Sequence, residues 1–440
     1  MAGSVFDSQI FNELFPTGEF RELFSDNAEI CAMIRVEGEL AKIQGQQGII
    51  PKISSEAIHQ AAMKLQLDPR ELTKATGQNG VSVPGLVALF QKSLQSPEHA
   101  QYVHFGATSQ DIMDTGLMLR LRQMLILQER SLKTLLVRLA ELAQKHAELP
   151  MVARTYGQDA TLTSFGATVA TWGNPLVDLL NALPELRKKS LWISLSGAAG
   201  TNAALGKNAA DLRDRLAENL WLFDPKRSWH SDRSPILRIV EWQSALSTAL
   251  GKMADDILIM CQSNIKTLNL SKSGISSTMP QKENPISPCA ISSLSRFAIG
   301  QQSIMKQAAF HKEARDGAAW LIEWLALPQL CLAASSALLI TNEVFDKLFA
   351  DKDAMQYDIA RTRGFVYAES LSFELGKIKP RPEAAAEVKK LCELLQKNDK
   401  NLLEAAKDKW PELAISNLDT SLGEAPQFAL SFVANVKDST

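Results

Sequence analysis

Between Ser273 and Pro285 the chain reads Ser-Gly-Ile-Ser-Ser-Thr-Met-Pro-Gln-Lys-Glu-Asn-Pro, with no apolar period to bury in a core. Gly274, Ser276 and Ser277 leave the backbone mobile and its N–H groups approachable, and Pro280 interrupts any helix. Lys282 and Asn284 then supply a cationic and an amide donor two residues apart. A loop that closes over an anionic substrate needs these properties; the plainer alternative is a Ser-rich linker between two helices. Two more clusters stand where long helical patterns begin. His104-Phe105-Gly106-Ala107-Thr108-Ser109-Gln110-Asp111 puts hydroxyls and unpaired N–H groups at a helix N-terminus, where the helix dipole favours a carboxylate. Taken alone it also reads as an ordinary Thr/Ser/Asp cap. Arg154-Thr155-Tyr156-Gly157-Gln158-Asp159 offers Arg, Tyr and Gln donors, or simply a polar turn with a structural arginine.

The elements that must hold these clusters are helical. Apolar residues recur at helical spacing from Ser25 to Gly48, where Gly48, Ile49, Ile50 and Pro51 stop the run. Ser54 with Ser55 reads as the cap of a second helix to about Leu65, Asn79-Gly80 as a turn, and 86–94 as another helix. A far longer pattern runs from about Asp111 to Leu149, a rod of roughly 55 Å at 1.5 Å per residue. Four more follow, near 160–189, 234–265, 286–312 and 317–350, with Pro175, Pro184 and Pro328 expected to kink or break them. Rods of this length leave apolar faces that one compact monomer cannot cover, so a five-rod bundle packing on other subunits is the economical arrangement. After about Asp351 come a helix near 359–376, an amphipathic helix from Pro382 to Leu395 and a polar tail. The expected domains are 1–110, 111–352 with the Ser loop at 271–285, and 353–440. No convincing β-alternation is present, although Leu191 to Leu195 suits a short extended piece.

Size and composition narrow the function. A chain of 440 residues with 45% hydrophobic content can bury a large core, and a net charge of -2 gives no global attraction to nucleic acid or anionic membrane. Any anion binding must therefore be local. Five scattered cysteines without Cys-x-x-Cys read as reduced, mostly buried thiols of a cytoplasmic protein, and six dispersed histidines argue against zinc. The N-terminus has no signal-peptide pattern, and no apolar stretch of about 20 residues free of charge is expected anywhere in the chain, so none is expected to span a membrane.

The three clusters, in this order, resemble the signature segments of the fumarase/aspartase superfamily. Those are His-x-Gly-x-Thr-Ser-x-Asp, Arg-Thr-His-Gly-Gln, and a loop Gly-Ser-Ser-x-Met-Pro-x-Lys-x-Asn-Pro that falls on Ile275 to Pro285, with Ile275 in place of the first Gly. The segment from Glu37 to Pro51, the turn Ser196-Gly197-Ala198-Ala199-Gly200-Thr201 and Arg361-Thr362-Arg363-Gly364 also look like family features. The resemblance implies an all-α, three-domain fold whose central five-helix bundle forms a twenty-helix core in a homotetramer. It further implies sites shared between three subunits, a small-molecule polycarboxylate substrate, and no metal or organic cofactor. In these enzymes a proton moves at the carbon α to a carboxylate while a group joins or leaves the β carbon, through an aci-carboxylate that fixed donors stabilise.

By the same resemblance Ser276 transfers the proton, its alkoxide stabilised by loop N–H groups and Lys282. Lys282, Asn284 and Ser277 would hold a substrate carboxylate, with His104, Thr108, Ser109, Arg154, Tyr156 and Gln158 from the other segments. Superfamily members that need an acid for the leaving group carry a His–Glu pair, and the matching positions here are Tyr156 and Cys289. Loss of both halves suits the cycloisomerase branch, in which an internal carboxylate of a muconate adds to a double bond and closes a lactone. Trp229-His230, Glu313-Ala314-Arg315, Trp320, Glu323 and Trp324 resemble that branch as well, and Arg315 suits an additional carboxylate. A C–N lyase of the adenylosuccinate type, a cycloisomerase for a differently substituted muconate, and an inactive crystallin-like scaffold are the alternatives. The serine itself is testable: Ser276→Ala is expected to abolish turnover measured by absorbance, and near-intact turnover would reduce Ser276 to a loop hydroxyl.

Overall fold

The computed structural model describes residues 3–270, 274–275, 278–279, 281–397, 399–413, 415 and 422–440. Ser276 and Ser277 lie outside the described residues. The chain is predominantly helical, and it divides into two compact units. One holds Met1–Ser131, Leu179–Thr248 and Ser293–Ile340; the other holds Leu132–Asp178, Ala249–Ser292 and Thr341–Thr440. The five expected long helices are present as Ser109–Lys145, Phe165–Ser190, Ser234–Met260, Ile286–Ala308 and Gly317–Phe345, and each contributes to both units.

In the first unit, Ser25 Oγ accepts from Ala28 N at 3.2 Å and starts the helix Asp26–Gln46, which buries Ile30, Met33, Ile34, Val36, Leu40 and Ile43. The next helix is Lys52–Ala62, so Ser54 and Ser55 are not its cap: Pro51 precedes the first turn, and both serines are buried inside the helix. They are small because the two helices cross there; a Cβ on Gly45 would lie 2.1 Å from Ser55 Oγ. Ala41, Ile50, Ile58, Phe90 and Val103 close a small core over this pair. Asn79-Gly80 ends a helix rather than forming a β-turn, with Gly80 at φ +71 accepting the left-handed cap. Among the long helices a buried polar layer fixes the packing: the Gln128 and Gln243 amides exchange bonds of 2.8 and 2.7 Å, and Gln128 Nε2 also reaches Ser335 Oγ at 3.0 Å. Leu191 to Leu195 is extended as expected, bridging Trp192 to Phe223.

In the second unit the sequence-based helix at 160–189 is corrected. Its first residues belong to a hairpin, Pro150–Thr155 against Gln158–Ser164, and the helix begins at Phe165. The two-residue turn is Tyr156-Gly157, with φ +53 and +75, as a type I′ turn requires. The helix 359–376 is also corrected. It is interrupted by Arg361-Thr362-Arg363-Gly364, where Arg363 and Gly364 have φ +49 and +81. The polar tail instead carries two helices, Leu402–Lys409 and Ala425–Ser439. The first joins the core of Leu371, Val388, Leu391, Leu395 and Trp410; the second drives Phe432 onto Gly173, where a Cβ would lie 2.1 Å from the ring.

Three further expectations change. The helices run on through Pro175, Pro184 and Pro328, so none of these prolines marks a break. Residues 324–342 carry no charge, and Gly317–Phe345 is long and apolar enough to cross a membrane by length and composition, but 72% of its apolar window is buried inside the protein, as in a core helix. The cysteines are not mostly buried either: Cys31 and Cys289 are exposed and only Cys331 is fully buried. A close approach of helix backbones supplies a test. A Cβ on Gly166 would lie 2.5 Å from the Ala143 carbonyl oxygen and 2.7 Å from Ala147 Cα, backbone atoms that cannot rotate away. Gly166→Ala is expected to cost about 1–3 kcal/mol in urea unfolding.

Candidate active site

Of the sequence-predicted residues, His104, Thr108, Ser109 and Arg315 belong to the first unit. The turn before the longest helix uses two left-handed residues, His104 at φ +64 and Gly106 at φ +77, and Gly106 is needed because a Cβ there would lie 2.5 Å from Leu205. Thr108 then caps the helix. Asp111 reaches back to accept from the Thr108 N–H at 3.1 Å, half of a capping box, which leaves Thr108 Oγ1 for another partner. That partner is Arg315, whose Nη2 lies 3.4 Å from Thr108 Oγ1 and 3.4 Å from the Ala198 carbonyl, while its Nε donates to Gln110 Oε1 at 2.8 Å. Thr108, Ser109 and Arg315 are half-buried and together face a helix N-terminus.

Beneath them lies a fully buried carboxylate. Asp111 accepts from Ser194 Oγ at 3.0 Å, Ser196 N at 2.9 Å, Gly197 N at 2.9 Å and His230 Nε2 at 2.8 Å, besides Thr108 N. The carboxylate can only accept, so the His230 proton is on Nε2. One turn on, Asp114 and Glu323 share Arg233, all three buried. Arg233 donates to Asp114 at 2.7 and 2.9 Å and to Glu323 at 2.7 and 3.0 Å, with the Trp229 ring 4.9 Å from the guanidinium carbon. Burial disfavours the Arg233 charge, but the two carboxylates outweigh it and push its pKa up. Two acids share one cation, and burial raises Glu323 against the pull of Arg233.

His104 meets a buried partner of its own. Its Nδ1 lies 2.6 Å from Glu37 Oε1, and Glu37 is 1% exposed. Burial works to lower the imidazole, while the Glu37 hydrogen bond and charge, with Asp111 adding, raise it above its ordinary value. The imidazolium is thereby favoured beside the helix start.

The remaining candidates belong to the second unit. Arg154 is committed to structure there: its Nη2 lies 2.6 Å from Asp358 Oδ2 and its Nε 3.3 Å from Asp159 Oδ1, and Arg361 binds both carboxylates as well. This clamp holds the hairpin just behind its turn, where Arg154 pairs with Asp159. At its tip Tyr156 is 104% exposed and Gln158 is exposed too. Lys282 is exposed, with its N–H bonded to the Met279 carbonyl at 3.1 Å. Asn284 is half-buried in the short strand Glu283–Asn284, paired with Gly274–Ile275, and Cys289 is exposed in the first turn of the following helix.

Sequence reading named Gln110, Asp111, His230 and Glu323 only as parts of motifs, and Asp114 and Arg233 not at all. One signal for Arg233 was present. A cation directly before the helix Ser234–Met260 opposes the helix dipole, which is tolerable only where carboxylates hold it.

With this geometry in place, a family described as "Lyase" matches residues 16–300. The chain is 33% identical over 394 residues to 3-carboxy-cis,cis-muconate cycloisomerase of Pseudomonas aeruginosa, covering 88% of this chain and 85% of that one. It is 28% identical over 380 residues to N-acetyl-S-(2-succino)cysteine lyase of Enterococcus italicus, covering 86% and 83%. Among solved structures, 3-carboxy-cis,cis-muconate lactonizing enzyme from Pseudomonas putida superposes with a TM-score of 0.91 at 30% identity, covering 98% of this chain and 100% of that one.

The two buried ionised contacts give separate tests. Arg233→Met leaves Asp114 and Glu323 without their cation and is expected to cost about 3–5 kcal/mol at neutral pH, read by urea unfolding. The His104–Glu37 pair has a raised imidazole pKa, so its stabilisation is complete below the ordinary histidine value and is lost as pH rises through the folded one. The stability gap between wild type and His104→Asn is therefore expected to be largest near about pH 6 and to shrink on raising the pH.

Proposed function

Because the chain belongs to the lyase family of the fumarase/aspartase superfamily, we propose that it is an isomerase of the intramolecular-lyase kind. It converts 3-carboxy-cis,cis-muconate to 4-carboxymuconolactone in protocatechuate breakdown, the β-ketoadipate pathway. The observation that carries this reading is a Ser-loop motif kept in all but Ile275, together with Tyr156 and Cys289 at the positions of the acid pair that other branches need for their leaving group. The likeness to muconate cycloisomerases along most of the chain supports it.

The chemistry follows from the donors. One substrate carboxylate attacks the double bond, a C–O bond forms, and the displaced π electrons move onto a second carboxylate as an aci-carboxylate. The residues that the family resemblance assigns, Lys282 and Asn284 of the Ser loop and Thr108 and Ser109 at a helix N-terminus, stabilise that charge. Ser276 delivers the proton to the α carbon, and its alkoxide is held by Lys282 until solvent reprotonates it. Arg315, beside Thr108, takes the additional carboxylate. Arg154 holds the hairpin that presents Tyr156 and Gln158, and His104 orients the first segment. A fully exposed tyrosine at the tip of a clamped hairpin suits a homotetramer in which three subunits build each site.

A second reading is elimination from a succinyl group, favoured by the likeness to the succinocysteine lyase. Purified wild-type protein is expected to bleach the diene absorbance of 3-carboxy-cis,cis-muconate without releasing fumarate. Lys282→Met is expected to lower kcat by about 10²–10³. Fumarate formed from adenylosuccinate or a succinylated thiol, with the muconate unchanged, would overturn the assignment. Light scattering is expected to give a tetramer.

A further inference from the structure

We propose that Gln110 is a positioning residue that aims Arg315 at a carboxylate, making this edge of the site selective for tricarboxylates. The inference rests on the functional reading above and extends it to a residue that touches no substrate. Gln110 is fully buried, and its amide has only one chemically consistent orientation. One end lies 3.1 Å from Asp114 Oδ2 and 2.8 Å from the His230 carbonyl. Both partners can only accept, so that end is the NH₂ and Oε1 must face the other way. It faces Arg315 Nε at 2.8 Å.

The polarity continues inward. Asp114 is free to accept from Gln110 because Arg233 holds both of its oxygens in a fixed fork, and Arg233 is held in turn by Glu323. Glu323, Arg233, Asp114, Gln110 and Arg315 thus form one ordered chain, three of whose members are charged and buried. An amide turned end for end would point N–H groups at a guanidinium and an oxygen at a carboxylate, so the chain has one low-energy arrangement. Its outer end is Arg315, whose Nε is satisfied and whose Nη2 has only long contacts at 3.4 Å to Thr108 Oγ1 and Ala198 O. No acceptor among the described residues meets Nη1. The guanidinium is therefore oriented but not saturated, with its outer edge beside a helix N-terminus. A carboxylate arriving there meets an arginine whose rotamer is already set, so less ordering entropy opposes binding than for a mobile one.

The test is a double-mutant cycle on binding of tricarballylate, a tricarboxylate with no double bond to react, measured by titration calorimetry on the full-length protein. Gln110→Leu is expected to weaken binding about 10-fold and Arg315→Met about 10–100-fold. The double variant should bind no worse than Arg315→Met alone, because Gln110 acts only through Arg315. If Gln110→Leu does not fold, Gln110→Asn serves: it keeps the amide but is one methylene too short to span Asp114 and Arg315, and the same non-additivity is expected. Additive losses, an unchanged affinity in the Gln110 variants, or failure of the wild type to bind tricarballylate would overturn the proposal. Turnover of 3-carboxy-cis,cis-muconate by the wild type is a separate readout. Coupling without turnover would overturn the functional reading and leave the role of Gln110 standing.

Discussion

The site depends on the burial of one carboxylate. Asp111 is withdrawn from water, a step that costs several kcal/mol unless its oxygens are occupied. Five donors occupy them, from Thr108, Ser194, Ser196, Gly197 and His230. Those donors come from three separated pieces of chain, so satisfying the charge also joins the start of the longest helix to the 194–197 turn and to the segment before the helix Ser234–Met260. The turn is also tied locally: Gly197 is at φ +72, Asn202 Nδ2 donates to the Leu195 carbonyl at 2.7 Å, and Thr115 Oγ1 accepts from Ser194 N at 2.8 Å. Loss of the Asp111 charge would remove the one acceptor that the three pieces share.

That constraint explains the layering of charge around the helix start. The inner layer is closed, with Asp111 among five hydrogen-bond donors and Asp114 and Glu323 around Arg233. The outer layer is open, with Thr108, Ser109 and one edge of Arg315 offered to an incoming anion. Buried polar networks stabilise little by themselves, but they restrict geometry strongly, and a site that must distinguish carboxylate positions benefits from that restriction. The hairpin follows the same logic with different parts. Arg154 and Arg361 against Asp159 and Asp358 clamp it just behind the turn, and Tyr156 is left fully exposed at its tip.

Much of this was legible before any coordinates. Helical periodicity located all five long rods, and the order of the Ser, Thr-Ser and Arg-Thr motifs identified the family. Other parts were hidden for physical reasons. The end of the hairpin at 160–164 reads as the start of a helix, and 154–159 as a polar turn, because the hairpin's turn is Tyr-Gly, without the Asn-Gly or Asp-Gly signal that marks a type I′ turn, and its strands are short. Ser54 and Ser55 looked like a cap because a serine's role at a helix crossing depends on a second helix that local sequence does not show. The helix Ala425–Ser439 was taken for tail because its apolar face has meaning only against Gly173 and its neighbours. Asp114 and Arg233 lie 119 positions apart in the chain, and no local pattern records such a pair.

Amide hydrogen exchange at Ser196 and Gly197 in ligand-free protein addresses the buried carboxylate most directly. Both N–H groups lie outside regular helix or strand and have Asp111 as their acceptor. If Asp111 pre-assembles the site, both amides exchange slowly in the wild type and lose that protection in Asp111→Asn while the long helices keep theirs. Rapid exchange at both positions in the wild type, or protection that survives Asp111→Asn unchanged, would contradict the account.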